Sequence, residues 1–176
     1  MSLDPIHTDR LVLTRIGGAD YADLCRMHSD PEVMRTLGGV RSDEVSAVVL
    51  RQLAAHWEAH GFGYWMARAR ADGAFVGRGG LRHVVVGGQP EIEIGYALMP
   101  AYWQQGYATE LARGCVRAGF DTLDLDDLVA FTLPTNERSR AVMQRVGFTY
   151  EREVIWNNLP HVLYRLTAAQ WRKAGR

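Results

Sequence analysis

The sequence predicts an α/β domain built on a mixed, mostly antiparallel sheet of about six to seven strands, flanked by helices. Three observations lead to this prediction. Short segments of alternating or continuous apolar residues recur along the chain, separated by glycine-marked turns. Helical patterns lie between some of these segments. In one case a strand is followed by a helix and then by another strand, and this order implies that the two strands are parallel. The chain has 176 residues without a repeat or linker, so residues 1–176 are predicted to form a single domain.

The N-terminal part predicts one strand followed by three helices. Capping residues and glycine stops set the boundaries. They give a strand over 10–16, then helices that begin after Asp20, after Asp30 and after Ser42, the last of which ends at Gly61.

Three strands joined by tight turns follow, over 62–70, 75–86 and 91–100. Consecutive hairpins of this kind are expected to lie antiparallel at the centre of the sheet. Gly77, Gly79 and Gly80, inside the second of these strands, predict a bulge or a close approach by another backbone.

The C-terminal part alternates helices and strands. The predicted elements are a helix over 106–120, a strand over 128–133, a helix over 135–146, hairpin strands over 148–156 and 162–166, and a helical turn over 167–171. The strands on either side of the helix 106–120 are expected to be parallel, with a right-handed crossover.

Composition and charge exclude several classes of partner. The chain has 20 basic and 20 acidic side chains, so no global field favours nucleic acid or a membrane surface. No apolar stretch approaches the roughly 20 residues of a transmembrane helix, and the N-terminus does not read as a signal peptide. Cys25 and Cys115 are expected to be reduced core thiols. These features predict a cytoplasmic protein with no nucleic-acid or membrane partner.

Two histidines on the long helix, His56 and His60, have the spacing of a metal-binding pair. No third histidine lies near them in sequence. A partly exposed helix face is the favoured interpretation, and no metal is expected.

The stretch over 91–120 is the strongest indication of function. It reads as a strand, a loop and a helix that starts at Gly106. The first N–H groups of a helix have no intrahelical partner, and the positive end of the helix dipole lies behind them. An anion site is therefore predicted here, although an ordinary strand-to-helix turn would have the same pattern.

The loop sequence Trp103-Gln-Gln-Gly-Tyr-Ala-Thr-Glu110 resembles the acyl-CoA pyrophosphate loop of the GCN5-related N-acetyltransferases, or GNAT family. Thr8–Leu13, Asp30–Arg35 and Glu93–Tyr96 resemble its ribosomal-protein-alanine acetyltransferase branch. The resemblance covers Thr8 to Leu166 and implies a GNAT fold, with the sheet splayed open at the acyl-CoA site and acetyl-CoA as co-substrate. The residues that it implies for pyrophosphate binding are Gln104, Gln105, Gly106, Tyr107, Ala108 and Thr109.

The resemblance also implies roles along the splayed edge. Pantetheine would pair with backbone where the strand 91–100 leaves the strand 128–133, and the N–H of Leu98 or Met99 would bind the thioester oxygen. Asn136 would bind pantetheine or position the thioester, though a plain helix cap explains it equally well. Many relatives carry a tyrosine that protonates the departing thiolate, and this chain has Met143 in its place. The proton donor is then Ser139 or a water, or the thiolate leaves without one.

Glu93 is the candidate general base. Glu91 and Glu93 share one face of the strand, and two carboxylates close together, beside an apolar surround, would raise the pKa of one of them. Glu91 is expected to be a solvated surface charge. The Glu-Ile-Gly-Tyr resemblance favours Glu93 as the group that accepts the proton of the attacking amine.

The sequence thus predicts an acetyl-CoA-dependent N-acetyltransferase that acylates a primary amine by direct attack. The acceptor is a protein N-terminal amine or, alternatively, a small amine such as an antibiotic, polyamine or amino acid. A non-catalytic acyl-CoA sensor is the third hypothesis. Family analogy alone suggests a homodimer. Candidates for contact with the acceptor are Trp57, Tyr64, Trp65, His83, Trp156, Asn157 and His161. An acidic acceptor or the adenosine 3′-phosphate of the cofactor is the candidate partner of Arg35, Arg82 and Arg138.

Overall fold

Eight strands form one sheet in a computed structural model that describes residues 3–175. They are β1 (Ile6–His7), β2 (Leu11–Arg15), β3 (Tyr64–Ala69), β4 (Phe75–Val86), β5 (Gln89–Leu98), β6 (Asp127–Thr132), β7 (Thr149–Trp156) and β8 (Leu159–Thr167). Their order across the sheet is β1-β2-β3-β4-β5-β6-β8-β7, and every neighbouring pair is antiparallel except β5 and β6. The predicted fold class is confirmed. The additional strand is β1, whose two residues are too few to show a period in the sequence.

Helices cover both faces of this sheet. They are α1 (Tyr21–Ser29), α2 (Pro31–Met34), α3 (Asp43–His60), α4 (Tyr107–Arg117), α5 (Glu137–Val146) and α6 (Ala168–Lys173). His28 of α1 lies against Arg78 of β4, whereas Leu111 of α4 lies against the neighbouring Gly79. Because successive residues of a strand point to opposite faces, α1 and α4 lie on opposite sides of the sheet. Within residues 3–175, no helix is long and apolar enough to cross a bilayer.

The glycines of β4 allow its neighbours to approach closely. A Cβ at Gly77 would lie 2.3 Å from the carbonyl oxygen of Ala97, and one at Gly80 would lie 2.3 Å from the Cα of Tyr64. The register of the β3–β4 ladder also shifts between Ala67 and Arg68. Both the close approach and the bulge predicted from these glycines are therefore present.

Most of the predicted helix boundaries are confirmed by their caps. The side chains of Asp30, Ser42 and Asn136 accept hydrogen bonds from the first turns of α2, α3 and α5. Asp20 does not cap α1 in this way. Its carboxylate accepts a hydrogen bond from the Gly17 N–H at 2.9 Å and pairs with Arg68 at 3.1 Å, so it ties the preceding loop to the sheet.

The sheet splits between β5 and β6. Within the described residues these strands pair only at Glu93 and Val129, whereas β4 and β5 pair from Gly77–Leu98 to Val86–Gln89. The strands diverge from that one bridge toward Leu98. The parallel pair and the splayed edge expected from the sequence are thus both present.

Arg165 of β8 links β5 and β6 at the narrow end of this split, where the two strands are still paired. Its guanidinium donates to both carboxylate oxygens of Glu91, at 2.7 and 2.9 Å, and to Asp127 at 2.5 Å. The side chain of Glu91 is only 10% exposed. The expectation that Glu91 is a solvated surface charge is therefore wrong, because a partner from a distant strand covers it.

Candidate active site

A cleft of about 2200 Å³ passes through the split in the sheet. Its lining combines the start of α4, the open edge of β5, the start of α5 and the face of the sheet covered by α1 to α3. The cleft therefore connects the predicted anion site with Glu93 and with the predicted acceptor face.

The loop before α4 is shaped to present backbone N–H groups. Gly106, the residue that precedes α4, has φ of 83°, and Gln104 has φ of 60°. Gly106 has no side chain with which to cap this helix start, so the first N–H groups of α4 are available to a ligand. Gln104, Gly106, Ala108 and Thr109 line the cleft, in agreement with a pyrophosphate cradle.

Arg10 holds this loop in place, and the sequence does not predict its role. Its guanidinium donates to Glu110 at 2.7 Å and to the Gln105 carbonyl at 2.9 Å, and it lies 4.0 Å from the ring centre of Tyr107. Thr8 donates a further hydrogen bond to Glu110 at 2.6 Å. Although burial acts in the opposite direction, these hydrogen bonds lower the pKa of Glu110. Glu110 is thus paired internally and does not repel an anion at the helix start.

Two predicted loop residues do not line the cleft. The Gln105 side chain donates to the Ala101 carbonyl at 2.7 Å, and Tyr107 packs edge-on against Tyr102 with ring centres 5.4 Å apart. Their side chains shape the loop, and only their backbone groups remain as candidates for phosphate binding. Trp103 also has a structural contact, since its indole N–H donates to the Leu98 carbonyl at 2.8 Å.

The two candidate oxyanion donors differ in their hydrogen bonding. The Met99 N–H donates to the Val76 carbonyl at 2.9 Å, and Met99 does not line the cleft. Antiparallel ladders alternate, so the N–H of Leu98 points away from β4 and toward the open edge. Leu98 lines the cleft and is therefore the better placed of the two.

Asn136 and Ser139 lie at the start of α5, on the far side of the open edge. Asn136 accepts from the Ser139 N–H at 3.2 Å and donates to Thr132 at 2.9 Å, so both ends of its amide have protein partners. The Tyr96 hydroxyl lies 3.2 Å from Ser139 Oγ and donates to the Ser139 carbonyl at 3.1 Å. Burial raises the pKa of Tyr96, so the phenol stays protonated. Tyr96 is a second potential proton donor, and only its place in the Glu-Ile-Gly-Tyr stretch could have indicated it.

Glu93 lies on the opposite face of β5, in the part of the cleft covered by α1 to α3. It is 6% exposed and accepts from Arg82 Nε at 2.6 Å. Burial raises its pKa, and the Arg82 charge and hydrogen bond oppose that effect. The predicted rise in the pKa of Glu93 is present. Burial causes it, in agreement with the predicted apolar surround, whereas the neighbouring carboxylate of Glu91 pairs with Arg165 and is not a cause.

Tyr64 and Gly95 bring a hydroxyl close to Glu93. A Cβ at Gly95 would lie 1.9 Å from the Tyr64 hydroxyl and 3.8 Å from Glu93 Oε1. Arg78 lies over the Tyr64 ring, with its guanidinium carbon 5.2 Å from the ring centre. This part of the cleft therefore combines one carboxylate, one phenol and several arginines.

The candidate acceptor residues divide into two groups. Trp57 and Trp65 are buried in the core, where their rings pack edge-on at 5.2 Å. The others line the cleft: Tyr64, His83, Trp156, Asn157, His161, Arg35, Arg82 and Arg138.

His83, remote in sequence, joins His56 and His60 in space. One ligand atom from each lies within 4.8 Å of the others. The His56 ring is already engaged, since its Nδ1 lies 2.8 Å from the Phe62 carbonyl and its Nε2 accepts from the His83 N–H at 3.1 Å. Binding a metal there would displace one of these hydrogen bonds, and the absence of a metal stays a prediction.

Comparisons with known proteins agree with this geometry. A family model for the acetyltransferase (GNAT) domain matches residues 10–149. The FsC-acetyl coenzyme A-N(2)-transacetylase of Aspergillus fumigatus is 32% identical over 184 residues, covering 94% of this chain and 77% of the relative. An uncharacterised Bacillus subtilis protein, YkkB, is 28% identical over 158 residues, covering 89% of this chain and 92% of the relative. The crystal structure of an Agrobacterium tumefaciens acetyltransferase superposes with a TM-score of 0.83 at 27% identity, covering 94% of this chain and 95% of that one.

Proposed function

The chain belongs to the GNAT acetyltransferase family, and we propose that it acetylates a primary amine by direct attack of that amine on acetyl-CoA. That it is an acetyl-CoA-dependent N-acetyltransferase follows from the family. The acceptor and the roles of individual residues are part of the proposal. The observation that carries it is the cleft, which joins the start of α4 to the buried carboxylate of Glu93 through the split sheet.

On the donor side, the proposal assigns the pyrophosphate to the backbone N–H groups at the start of α4 and the pantetheine to the open edge of β5. Gly106 supports this assignment, because its left-handed conformation turns the chain without a side chain in the way. The N–H of Leu98 would bind the thioester oxygen as negative charge develops there.

On the acceptor side, Glu93 would accept the proton of the attacking ammonium, directly or through a water. A buried carboxylate with a raised pKa suits this role, because it binds a proton more readily than an exposed one near neutral pH. Its hydrogen bond from Arg82 would hold the carboxylate in a fixed orientation.

The departing thiolate would be protonated on the other face of the sheet. Ser139 is the candidate named from the sequence, and the contact between Tyr96 and Ser139 supports the phenol as its partner. Comparison of Ser139→Ala with Tyr96→Phe would separate them, because only the variant that removes the donor should slow thiol release from the bound complex.

The acceptor has two candidate classes. The resemblance to the ribosomal-protein-alanine branch favours a protein N-terminal amine. The relative from Aspergillus is named an FsC-acetyl coenzyme A-N(2)-transacetylase, so its name does not point to a protein N-terminus. The enclosed position of Glu93, which is 6% exposed, favours a small acceptor.

The proposal is tested by thermal shift with acetyl-CoA, followed by thiol release against a panel of amines and short peptides. Glu93→Gln is expected to lose about 100-fold or more in kcat/KM, the usual scale for a general base, with acetyl-CoA affinity retained. Glu153→Gln is the matched control, since that carboxylate is exposed and outside the cleft. Stabilisation by acetyl-CoA without turnover of any amine would favour the sensor hypothesis, and no stabilisation would refute the cofactor assignment.

A further inference from the structure

Three arginines line the acceptor side of the cleft, and two of them, Arg78 and Arg82, act electrostatically on the Glu93 carboxylate. Arg82 is committed to Glu93 at 2.6 Å, and Arg41 donates to the Leu37 carbonyl at 3.2 Å. Arg78 projects from the same face of β4 as Arg82, since the two lie four residues apart in the strand. All three line the cleft. Positive charge therefore exceeds negative charge beside the proposed base.

Within residues 3–175, Arg78 is the member of this cluster that has neither a carboxylate nor a carbonyl partner. It is 9% exposed, and its Nε is buried without a hydrogen-bond partner among the described residues. Its one recorded polar contact runs from Nη2 to His28 Nε2 at 3.5 Å, at the long limit of a hydrogen bond. A buried guanidinium with an unused donor is costly, and such groups normally have a partner.

His28 orients Arg78 without neutralising it. The Ser46 hydroxyl donates its only proton to the Ser42 carbonyl at 2.9 Å, so the contact of 2.9 Å between His28 Nδ1 and Ser46 Oγ is a donation by the histidine. His28 Nε2 is then the bare acceptor that faces Arg78. Burial and the charges of Arg78 and Arg41 lower the pKa of His28 to about 4, so the ring is neutral at pH 7.

The surrounding charges repel one another. Burial, together with Arg41 and Arg82, lowers the pKa of Arg78, and Tyr64 and Glu93 oppose this. The pKa of Arg41 is lowered by burial and by Arg82. An anion placed between Arg78 and Arg41 would relieve this repulsion and give Arg78 the acceptor that the protein does not supply.

We propose that the acceptor amine also carries a carboxylate, which the guanidinium of Arg78, assisted by Arg41, binds so that the amine lies at Glu93. The planar fork of an arginine matches the two oxygens of a carboxylate. Arg82 remains hydrogen-bonded to Glu93, and Arg78 binds the carboxylate of the substrate. This inference rests on the proposed function and narrows its acceptor to amino-acid-like amines.

Anion binding can be tested without knowing the acceptor. With acetyl-CoA saturating, sodium malonate at ten times its Kd is expected to raise the Tm of the wild type by about 3 to 6 °C, whereas malonamide at matched ionic strength should not. Arg78→Gln should lose the malonate shift. The matched control Arg172→Gln changes an exposed arginine outside the cleft and should keep it.

Turnover gives the second test. Amino acids, their carboxamides and the corresponding decarboxylated amines are compared by thiol release, for example leucine, leucinamide and 3-methylbutylamine. Carboxylate-bearing acceptors should exceed both neutral partners in kcat/KM by about 30-fold or more, the scale of a buried charged pair, and Arg78→Gln should remove that preference while acetyl-CoA affinity stays unchanged.

The two proposals fail in different ways. Turnover of neutral amines at the rate of their carboxylates, or equal effects of malonate and malonamide on the wild type, would overturn the carboxylate site and leave the acetyltransferase intact. Absence of both acetyl-CoA binding and turnover would instead refute the proposed function. If Arg78→Gln does not fold, the wild-type comparison of malonate with malonamide still decides the question.

Discussion

Gly95 faces the Tyr64 hydroxyl so closely that no side chain fits between them. A Cβ would lie 1.9 Å from that oxygen, well inside van der Waals contact. The place of the Tyr64 hydroxyl, on the same side of β5 as Glu93, therefore depends on a residue that has no side chain.

Gly95→Ala is expected to destabilise the fold by about 1 to 3 kcal/mol, the usual cost of overpacking a core, and to lower kcat. Chemical denaturation measures the first effect and thiol release the second. Gly17→Ala is the control, because nothing lies within 4 Å of the added atom. Addition of Tyr64→Phe to Gly95→Ala should recover much of the stability; no recovery would contradict the steric explanation.

His28 should make stability depend on pH. The folded ring has a pKa of about 4, against 6.5 for the unfolded chain, so the unfolded state binds the extra proton between these values. Stability conferred by the neutral ring is therefore complete above pH 6.5 and is lost as the pH falls, by about 2 kcal/mol at pH 5. Urea unfolding at pH 7 and pH 5 measures this change. His28→Gln should show a smaller difference between the two pH values than the wild type, and an equal difference would refute the prediction.

At the scale of elements, the loop before α4 is held by contacts from the N-terminal segment. Thr8 and Arg10 precede β2, yet they bind Glu110 and the Gln105 carbonyl, which lie 95 to 102 residues further along the chain. The loop proposed to bind the pyrophosphate thus depends on contacts from Thr8 and Arg10, which are distant in sequence.

Arg10→Gln is expected to weaken acetyl-CoA binding about 5- to 10-fold, because the loop loses its support at the Gln105 carbonyl and Glu110 loses the guanidinium that neutralises its charge at the helix start. Isothermal titration with acetyl-CoA measures the change. Arg26→Gln, which alters an exposed arginine paired with Asp23 outside the cleft, serves as control. Unchanged affinity in Arg10→Gln would show that the loop holds its shape alone.

Local patterns and long-range partners differ in how far the sequence predicts them. The strand, loop and helix around Gly106 and the candidate base Glu93 are evident from the sequence, since the signals lie within a few residues. The contacts of Arg10, Arg78 and His28 join distant segments, and nothing in the spacing of these residues indicates them. The sequence likewise predicts a solvated Glu91, because its partner Arg165 lies on a distant strand and nothing near Glu91 indicates the pair.

At the scale of the whole molecule, the narrow end of the split depends on one guanidinium that joins four strands. Arg165 of β8 binds Glu91 of β5, Asp127 of β6 and Glu151 of β7. Arg165→Gln is expected to lower the free energy of unfolding by about 1 to 2 kcal/mol, reduced from the value for a fully buried pair because the side chain is 24% exposed. Denaturant titration measures it. Arg152→Gln, which pairs only with its neighbour Glu151 among the recorded ion pairs, should cost less.

The cleft also predicts the kinetic order of the reaction. Donor and acceptor regions are both part of one continuous space, and burial raises the pKa of the Cys115 thiol to about 12, which makes it a poor nucleophile. Both substrates should therefore be bound together. Initial-rate plots with varied acetyl-CoA and amine are expected to intersect, and parallel lines or an isolable acetyl-enzyme would contradict direct attack.

The single bridge between Glu93 and Val129 has an evolutionary consequence. A long ladder would fix the register of one half-sheet against the other, so that an insertion on one side would disturb side chains on both. With one bridge, and with Arg165 and its three carboxylate partners kept, the hairpin of β7 and β8 can lengthen, shorten or change its other side chains while β3, β4 and β5 keep theirs. Lineages built on this plan can thus alter what receives the acyl group while they conserve the means of holding its carrier.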